Sequence, residues 1–467
     1  MTQTPSRRTS LALLAALTLL GSAPLTGCNS APSTIKIGVA QPLSGPLAAL
    51  GQDMLNGVQL AVDELNKEGF QIKGKVVKFE VVAVDDHADA KVGVDVAKQL
   101  VDSDVSVVIG HLNSGVSIAA APVYAEKNIA QLAISTNPKY TELGLPTTLR
   151  LVANDKLQAK AIGSFSASQF PATRYATVDD GTPYGKDLAV GAAAELTKAK
   201  KEIVAQATFD EKTVKFDEFA AKLKETKAEA LVSTLSDFQL VALLEALGKI
   251  DYNHLIVLGA DTVKTPDMLK GSSMASSLYV TSPILEPREF PAGKAFLDRY
   301  RTKFQTVPAY AGHYSYDAVF VVAAAAKRAE SGKPEAILQA LRKIDGHWRA
   351  LENAPVAVPV AVGVHGRSQA RVTSGFSDGG ADGIDGSGGI LSEQMLELGE
   401  DLLDWVEVWR VFGQEEQLGF GGADELTNDL AFVAAEIVQD DDIAGTQGGQ
   451  QNFFDIDAEA LRRRLVP

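Results

Sequence analysis

Two hydrophobic rhythms take turns along residues 34–343. Short β-branched or continuous apolar runs occur at 35–39, 76–84, 105–109 and 132–134, and each predicts a strand. The run 105–109 is apolar except for Ser106, the pattern of a strand buried on both faces. Between these runs the spacing is helical. Residues 51–68 put Leu55, Val58, Val62 and Leu65 on one face, and Gly69 closes the segment. Residues 88–101 align Val92, Val96 and Leu100, and a further helix is predicted over 116–127.

The alternation then repeats. Strands are predicted at 175–178, 203–208, 230–234 and 255–258, and helices at 185–198, 216–224 and 238–247. Strands alternating with helices imply an α/β protein with parallel sheets covered by helices on both faces. The series is too long for one small sheet and divides into two lobes of similar size. Residues 149–155 suit a first crossover between them and 280–287 a return. Helices at 290–303, 314–330 and 334–343 complete the pattern.

The two ends of the chain depart from this pattern. Arg7 and Arg8 precede an apolar run at 11–20 that is too short for an ordinary membrane-spanning helix. It predicts a signal peptide. Leu25-Thr26-Gly27-Cys28 comes next and resembles the bacterial lipobox, in which the cysteine is diacylated and becomes the mature N-terminus. Ser10 stands where a twin-arginine signal usually has an aromatic, so ordinary export is expected. Residues 1–28 are thus an address and 29–33 a small polar tether. At the other end, 344–467 contain no lysine and no tyrosine, and glycine concentrates between Gly375 and Gly389. This atypical tail is expected to be poorly ordered or foreign to the fold. A frameshifted or rearranged gene end and an appended interaction module both fit the shift in composition.

Composition narrows the function. The formal net charge of -15 repels nucleic acid. Cys28 is the only cysteine, which excludes an intramolecular disulfide and a thiolate metal cluster. Six scattered histidines give no i, i+4 pair, so neither a metal nor another cofactor is expected. An enzyme is not expected either, because GxSxG, P-loop and GxGxxG motifs are absent.

Six motifs succeed one another in order. Ile37-Gly38-Val39-Ala40-Gln41-Pro42-Leu43-Ser44-Gly45 opens the series, and Val84-Asp85-Asp86 ends the second strand. Gly110-His111-Leu112-Asn113-Ser114 and Ser135-Thr136-Asn137-Pro138 come after the next two strands. Asp180-Gly181-Thr182-Pro183-Tyr184-Gly185 and Tyr314-Ser315-Tyr316-Asp317-Ala318 open helices. Together they resemble the type I periplasmic binding proteins of the branched-chain amino-acid (leucine/isoleucine/valine) ABC transporter family. The resemblance covers 34–343. It implies two Rossmann-like lobes hinged around a ligand cleft, with 34–153 and 285–343 forming the N-terminal lobe and 154–284 the C-terminal lobe. It also implies an exported protein that faces the periplasm or the outside, anchored by lipid at Cys28, and that hands an amino acid to a membrane permease.

An amino acid presents a carboxylate and an ammonium, and each must be matched once water is removed. Ser114 lies after a strand and before a helix, where its hydroxyl and the free helix N–H groups suit an anion. It matches the family's carboxylate-binding serine, and it also suits an N-cap. Ser135, Thr136 and Asn137 occupy the loop that contributes to both ligand ends in the family, and the same residues suit a turn before Pro138. Asp261 matches in position the acidic residue that pairs the ligand amine, or caps a helix start. Tyr184 matches the tyrosine that covers the ligand, or packs its loop. Leu50 stands where relatives often have an aromatic, and Ser236 near where some place a tyrosine, so the side-chain preference stays open. Asp237 is expected to cap the helix beginning at Phe238. The alternative ligands are amides, urea or another small polar solute, feeding transport or sensing.

Overall fold

The computed structural model describes residues 32–265, 268, 277–290 and 292–343, together with the backbone of two strands at Glu407–Val411 and Phe432–Ile437. Cys28 and most of the tail lie outside these residues.

Two sheets organise the chain. The first is wholly parallel and has five strands. These are β1 (Thr34–Gln41), β4 (Lys78–Asp85), β5 (Val107–Gly110), β6 (Ala130–Ala133) and β7 (Thr148–Arg150), in the order β4-β1-β5-β6-β7. The expected strand at 76–84 is split. A hairpin of β2 (Gln71–Ile72) and β3 (Lys75–Val76) precedes β4, turning on Lys73 and Gly74. Both turn residues have positive φ, as a tight two-residue hairpin loop requires.

The second sheet contains β8 (Arg174–Asp179), β9 (Glu202–Thr208), β10 (Ala230–Thr234), β11 (Ile256–Gly259) and β12 (Ser277–Ser282), all parallel. Beyond β12 the strands β13 (Glu407–Val411) and β14 (Phe432–Ile437) add antiparallel pairings, giving the order β14-β13-β12-β11-β10-β8-β9. The hydrophobic pattern assigns neither of these two outer strands.

Helices cover both sheets. On the first lie α1 (Ala48–Glu68), α2 (Ala90–Asp102), α3 (Ser114–Ala125) and the short α4 (Lys139–Glu142). The chain then passes to α5 (Asp155–Gln169), α6 (Pro183–Lys198), α7 (Asp217–Glu225) and α8 (Asp237–Lys249) around the second sheet. It returns through α9 (Gly293–Phe304), α10 (Gly312–Ala329) and α11 (Pro334–Leu341). The returning helices complete the first core: Phe296, Tyr300, Val319, Val322 and Leu338 join Ile35, Ile37, Val58, Val107 and Leu132 in one buried cluster. The second sheet has its own clusters, including Leu231, Leu243, Val257 and Val280 on one side and Leu188, Val232 and Leu258 on the other.

Helix α10 is buried almost all round, as a central helix must be when its apolar surface is not confined to one stripe. It meets α1 at backbone distance. A Cβ on Gly57 would stand 1.8 Å from the Gly312 carbonyl oxygen, so no larger residue fits there. Among the described residues, no helix is long and apolar enough to cross a membrane.

Candidate functional site

The parallel strands of both sheets end at one cleft, and the site is assembled from the loops and helix starts just beyond those ends. On the first lobe, β5 stops at Gly110 and α3 begins at Ser114, two residues earlier than the apolar spacing suggests. Ser114 is therefore the first helical residue, and Asn113 holds the cap position without a side-chain cap bond. The buried Ser114 Oγ accepts the Asn137 backbone N–H at 3.2 Å. Its own hydroxyl proton stays available to a ligand oxygen at the positive end of α3.

The loop after β6 carries three expected residues, and their side chains point in different directions. Thr136 is buried, its carbonyl accepts the Asp155 N–H at 2.9 Å, and its hydroxyl faces the Asp155 carboxyl. The Ser135 hydroxyl turns inward, sharing a 2.5 Å bond with Ser117 Oγ and donating to the carbonyls of His111 and Leu112. Asn137 bridges the lobes: its Nδ2 donates to the Pro183 carbonyl at 2.7 Å and to Asp187 Oδ2 at 2.9 Å. The loop owes its shape to Arg150. This buried guanidinium donates to the Ser135 carbonyl at 2.6 Å, to the Asn137 carbonyl at 3.1 Å and to Thr141 Oγ1 at 2.7 Å.

The acidic side gathers around Asp261, which opens a single 3-10 turn after β11 and has no capping bond. Asp261 Oδ1 accepts the Tyr184 hydroxyl at 2.7 Å and Gln158 Nε2 at 2.9 Å. Its Oδ2 accepts the Tyr310 hydroxyl at 2.5 Å. Tyr184 belongs to α6 and Gln158 to α5, whereas Tyr310 precedes α10 and packs on the first core. Asp261 thus joins donors from both lobes. Burial, reinforced by the Asp261 charge, pushes the Tyr184 and Tyr310 phenols well above the usual tyrosine range, so both stay protonated and donate. Tyr310 is itself fixed from behind. Its N–H and that of Gly312 donate to the buried Asp53 carboxylate at 2.9 and 2.7 Å.

The structure therefore brings Ser114, Thr136, Tyr184 and Asp261 to one cleft, gives Asn137 a bridging role and turns Ser135 away. Sequence reasoning misses Asp155, Gln158, Tyr310 and Arg150. A local signal exists for two of them. Asn154 is a helix cap that accepts the N–H groups of Lys156 and Leu157, and it sets Asp155 and Gln158 on the first turn of α5. Ser236, not Asp237, caps α8, through a capping box with Gln239. Among the described residues, no group of three or more His, Cys, Asp or Glu side chains is arranged to hold a metal.

Residues 34–365 match the family model described as periplasmic binding protein. A Leu/Ile/Val-binding protein homolog 1 from Brucella abortus is 31% identical over 330 residues, covering 68% of this chain and 84% of the relative. The chain belongs to the type I periplasmic binding proteins of the branched-chain amino-acid transporter family. Members are extracytoplasmic solute-binding components of ABC transporters and not enzymes. Among solved structures, the substrate-binding protein LivJ from Streptococcus pneumoniae, in complex with isoleucine, superposes with a TM-score of 0.60 at 29% identity. That match covers 66% of this chain and 88% of LivJ. A solute-binding protein from Rhodopseudomonas palustris, in complex with 3,4-dihydroxybenzoic acid, shares the fold at a TM-score of 0.59 and 21% identity, over 66% and 85% of the two chains. The type I family fold thus spans relatives whose ligands differ in chemistry.

Proposed function

We propose that this periplasmic binding protein captures a small aliphatic α-amino acid, of the branched-chain class, and delivers it to an ABC permease. One observation carries the reading. A donor side, made by Ser114 and the α3 N-terminus after β5, and an acidic side, made by Asp261 after β11, stand at the strand ends of the two sheets. A zwitterion needs that pairing. Tyr184 closes over the ligand, and Leu50, where relatives often carry an aromatic, leaves room for an aliphatic side chain. The lipobox at Cys28 supports an exported protein tethered by lipid outside the cytoplasm.

The test is calorimetry on protein lacking residues 1–28, against aliphatic amino acids, their amides, urea and hydroxylated benzoates. Tight binding of leucine, isoleucine or valine is expected. Binding of an amide, urea or a benzoate with no response to any α-amino acid overturns the reading.

A further inference from the structure

Two motifs of the series have no part in the site described above: the aspartate pair that ends β4 and the Gly110-His111 step after β5. The structure joins them. The two neighbouring carboxylates part at the strand end, as alternation requires. Asp85 Oδ1 accepts the Leu43 N–H at 2.9 Å and ties down the loop after β1. Asp86 turns into the core. Its Oδ2 meets His111 Nδ1 at 2.7 Å, and its Oδ1 accepts the Ala88 N–H at 2.9 Å. His111 Nε2 shares a 3.1 Å bond with the Tyr124 hydroxyl, on the last turn of α3. All three side chains are fully buried.

Both ring nitrogens of His111 are occupied, so the imidazole has one orientation. Its backbone carbonyl is a second node, accepting the hydroxyls of Ser135 at 3.1 Å and Ser117 at 3.3 Å. Ser117 lies on the first turn of α3 and Tyr124 on the last. His111 therefore grips that helix at both ends, and it links the helix to the end of β4 and to the loop after β6. Stability alone does not account for this arrangement. Burying a carboxylate with an imidazole costs desolvation, and apolar side chains of the same volume would fill the space without that cost. A satisfied polar network adds direction, which apolar packing lacks.

We infer that Asp86, His111 and Tyr124 are positioning residues for binding: without touching the ligand, they aim the Ser114 hydroxyl and the first N–H groups of α3 at its carboxylate. Ser114 stands three residues after His111, on the helix that His111 holds. The Ser135 hydroxyl, which the sequence suggests for the ligand, instead couples the His111 carbonyl to the next loop. The acidic side of the cleft is built separately. Asp261, Tyr184, Gln158 and Tyr310 bond to one another and to Asp53, and none of them bonds to the triad. A fault in the triad is therefore felt at one end of the ligand only. The inference rests on the amino-acid reading proposed above.

The experiment binds uniformly carbon-13-labelled L-leucine to the wild type and to two variants, and reads affinity by calorimetry and the bound ligand by NMR. Tyr124→Phe keeps the ring and removes only the hydroxyl that meets His111. His111→Asn keeps a donor for Asp86 but cannot reach Tyr124. Each should weaken leucine roughly three- to tenfold, the size expected for one buried hydrogen bond. The carboxyl resonance of bound leucine should move, and its methyl resonances should keep their places. Both variants remove the same bond, so the double variant should lose little more than either alone. If these variants fold poorly, Ser135→Ala, which takes one hydroxyl from the His111 carbonyl, must displace the carboxyl resonance in the same selective way. Unchanged affinity and carboxyl resonance in a folded variant, or an equal displacement of the methyl resonances, overturns the inference alone. Failure of the wild type to bind any α-amino acid overturns the proposed function beneath it as well.

Discussion

The Asn137 amide and the Lys139 ammonium converge on one carboxylate, Asp187, from the opposite side of the cleft, at 2.9 and 2.7 Å. Partial burial disfavours the Asp187 charge, but Lys139 and Asn137 outweigh it and hold the carboxyl below its usual pKa. The three residues form a latch between the lobes at the cleft rim. Exposed pairs of this kind contribute up to about 1 kcal/mol. Asp187→Ala should therefore speed ligand release roughly three- to tenfold and leave association nearly unchanged. Stopped-flow displacement measures both, and an unchanged release rate would count against the latch.

Arg150 is the more demanding position. Its fork satisfies the carbonyls of Ser135 and Asn137 and the Thr141 hydroxyl together. Methionine fills similar space but leaves those buried acceptors without donors, at a cost of about 3 kcal/mol. Lysine cannot reproduce the fork. Arg150→Met should lower both the melting temperature and the ligand affinity, because the Thr136 loop loses its shape. A variant that melts early yet binds normally would show that the loop keeps its form without the arginine.

Two buried groups give stability opposite dependences on pH. Burial lowers the His313 pKa to about 4, even though its Nε2 faces the Leu285 carbonyl at 2.8 Å. The unfolded chain takes up that proton near pH 6.5, so stability is lost as pH falls from there toward 4, by about 3 kcal/mol. Burial raises Asp180 to about 6, against the Thr182 hydrogen bonds. Its contribution has the reverse sign: it is present in acid and lost as pH rises from about 4 through 6. His313→Gln should therefore melt with a shallower acid limb. Asp180→Asn keeps an acceptor for Thr182 and should gain roughly 2 kcal/mol at pH 7.5. Thermal melts from pH 4 to 8 separate the two variants, and parallel curves would refute both assignments.

At the start of the chain, Cys28→Ser should remove lipid attachment and release the protein from the membrane fraction. Labelling with a fatty-acid analogue measures this. Equal labelling of variant and wild type would exclude the lipobox assignment.

The parts legible in the sequence are those where periodicity meets a strand end. The continuous apolar run of β5 and the single apolar face of α1 are plain in the residue pattern, and so are the loops after β5, β6 and β11. Ser114, Thr136 and Asp261 can be found because they stand at those ends. Side-chain direction within a loop has no period, so nothing in Ser135-Thr136-Asn137 distinguishes the inward hydroxyl from the bridging amide. Strand β7 has only three residues, Thr148–Arg150, too few to display alternation. Without it, Asp155 reads as part of a crossover and not as the first turn of a helix facing the cleft. Tyr310 lies beyond Pro308 and Ala309 in an irregular segment, and tertiary bonds to Asp53 and Asp261 give it its place.

The contact between Gly57 and Gly312 bears on how the cleft moves. At this point the two helices touch backbone to backbone, so a side chain on Gly57 would push α10 off α1. Only one residue separates Gly312 from Tyr310, and Asp53 grips both ends of that span. The Tyr310 phenol is in effect an anvil riveted to the first lobe. Any separation of the two lobes therefore has to break the bond between this phenol and Asp261. A glycine pair that touches no cleft residue thereby helps to set the height at which Tyr310 meets Asp261.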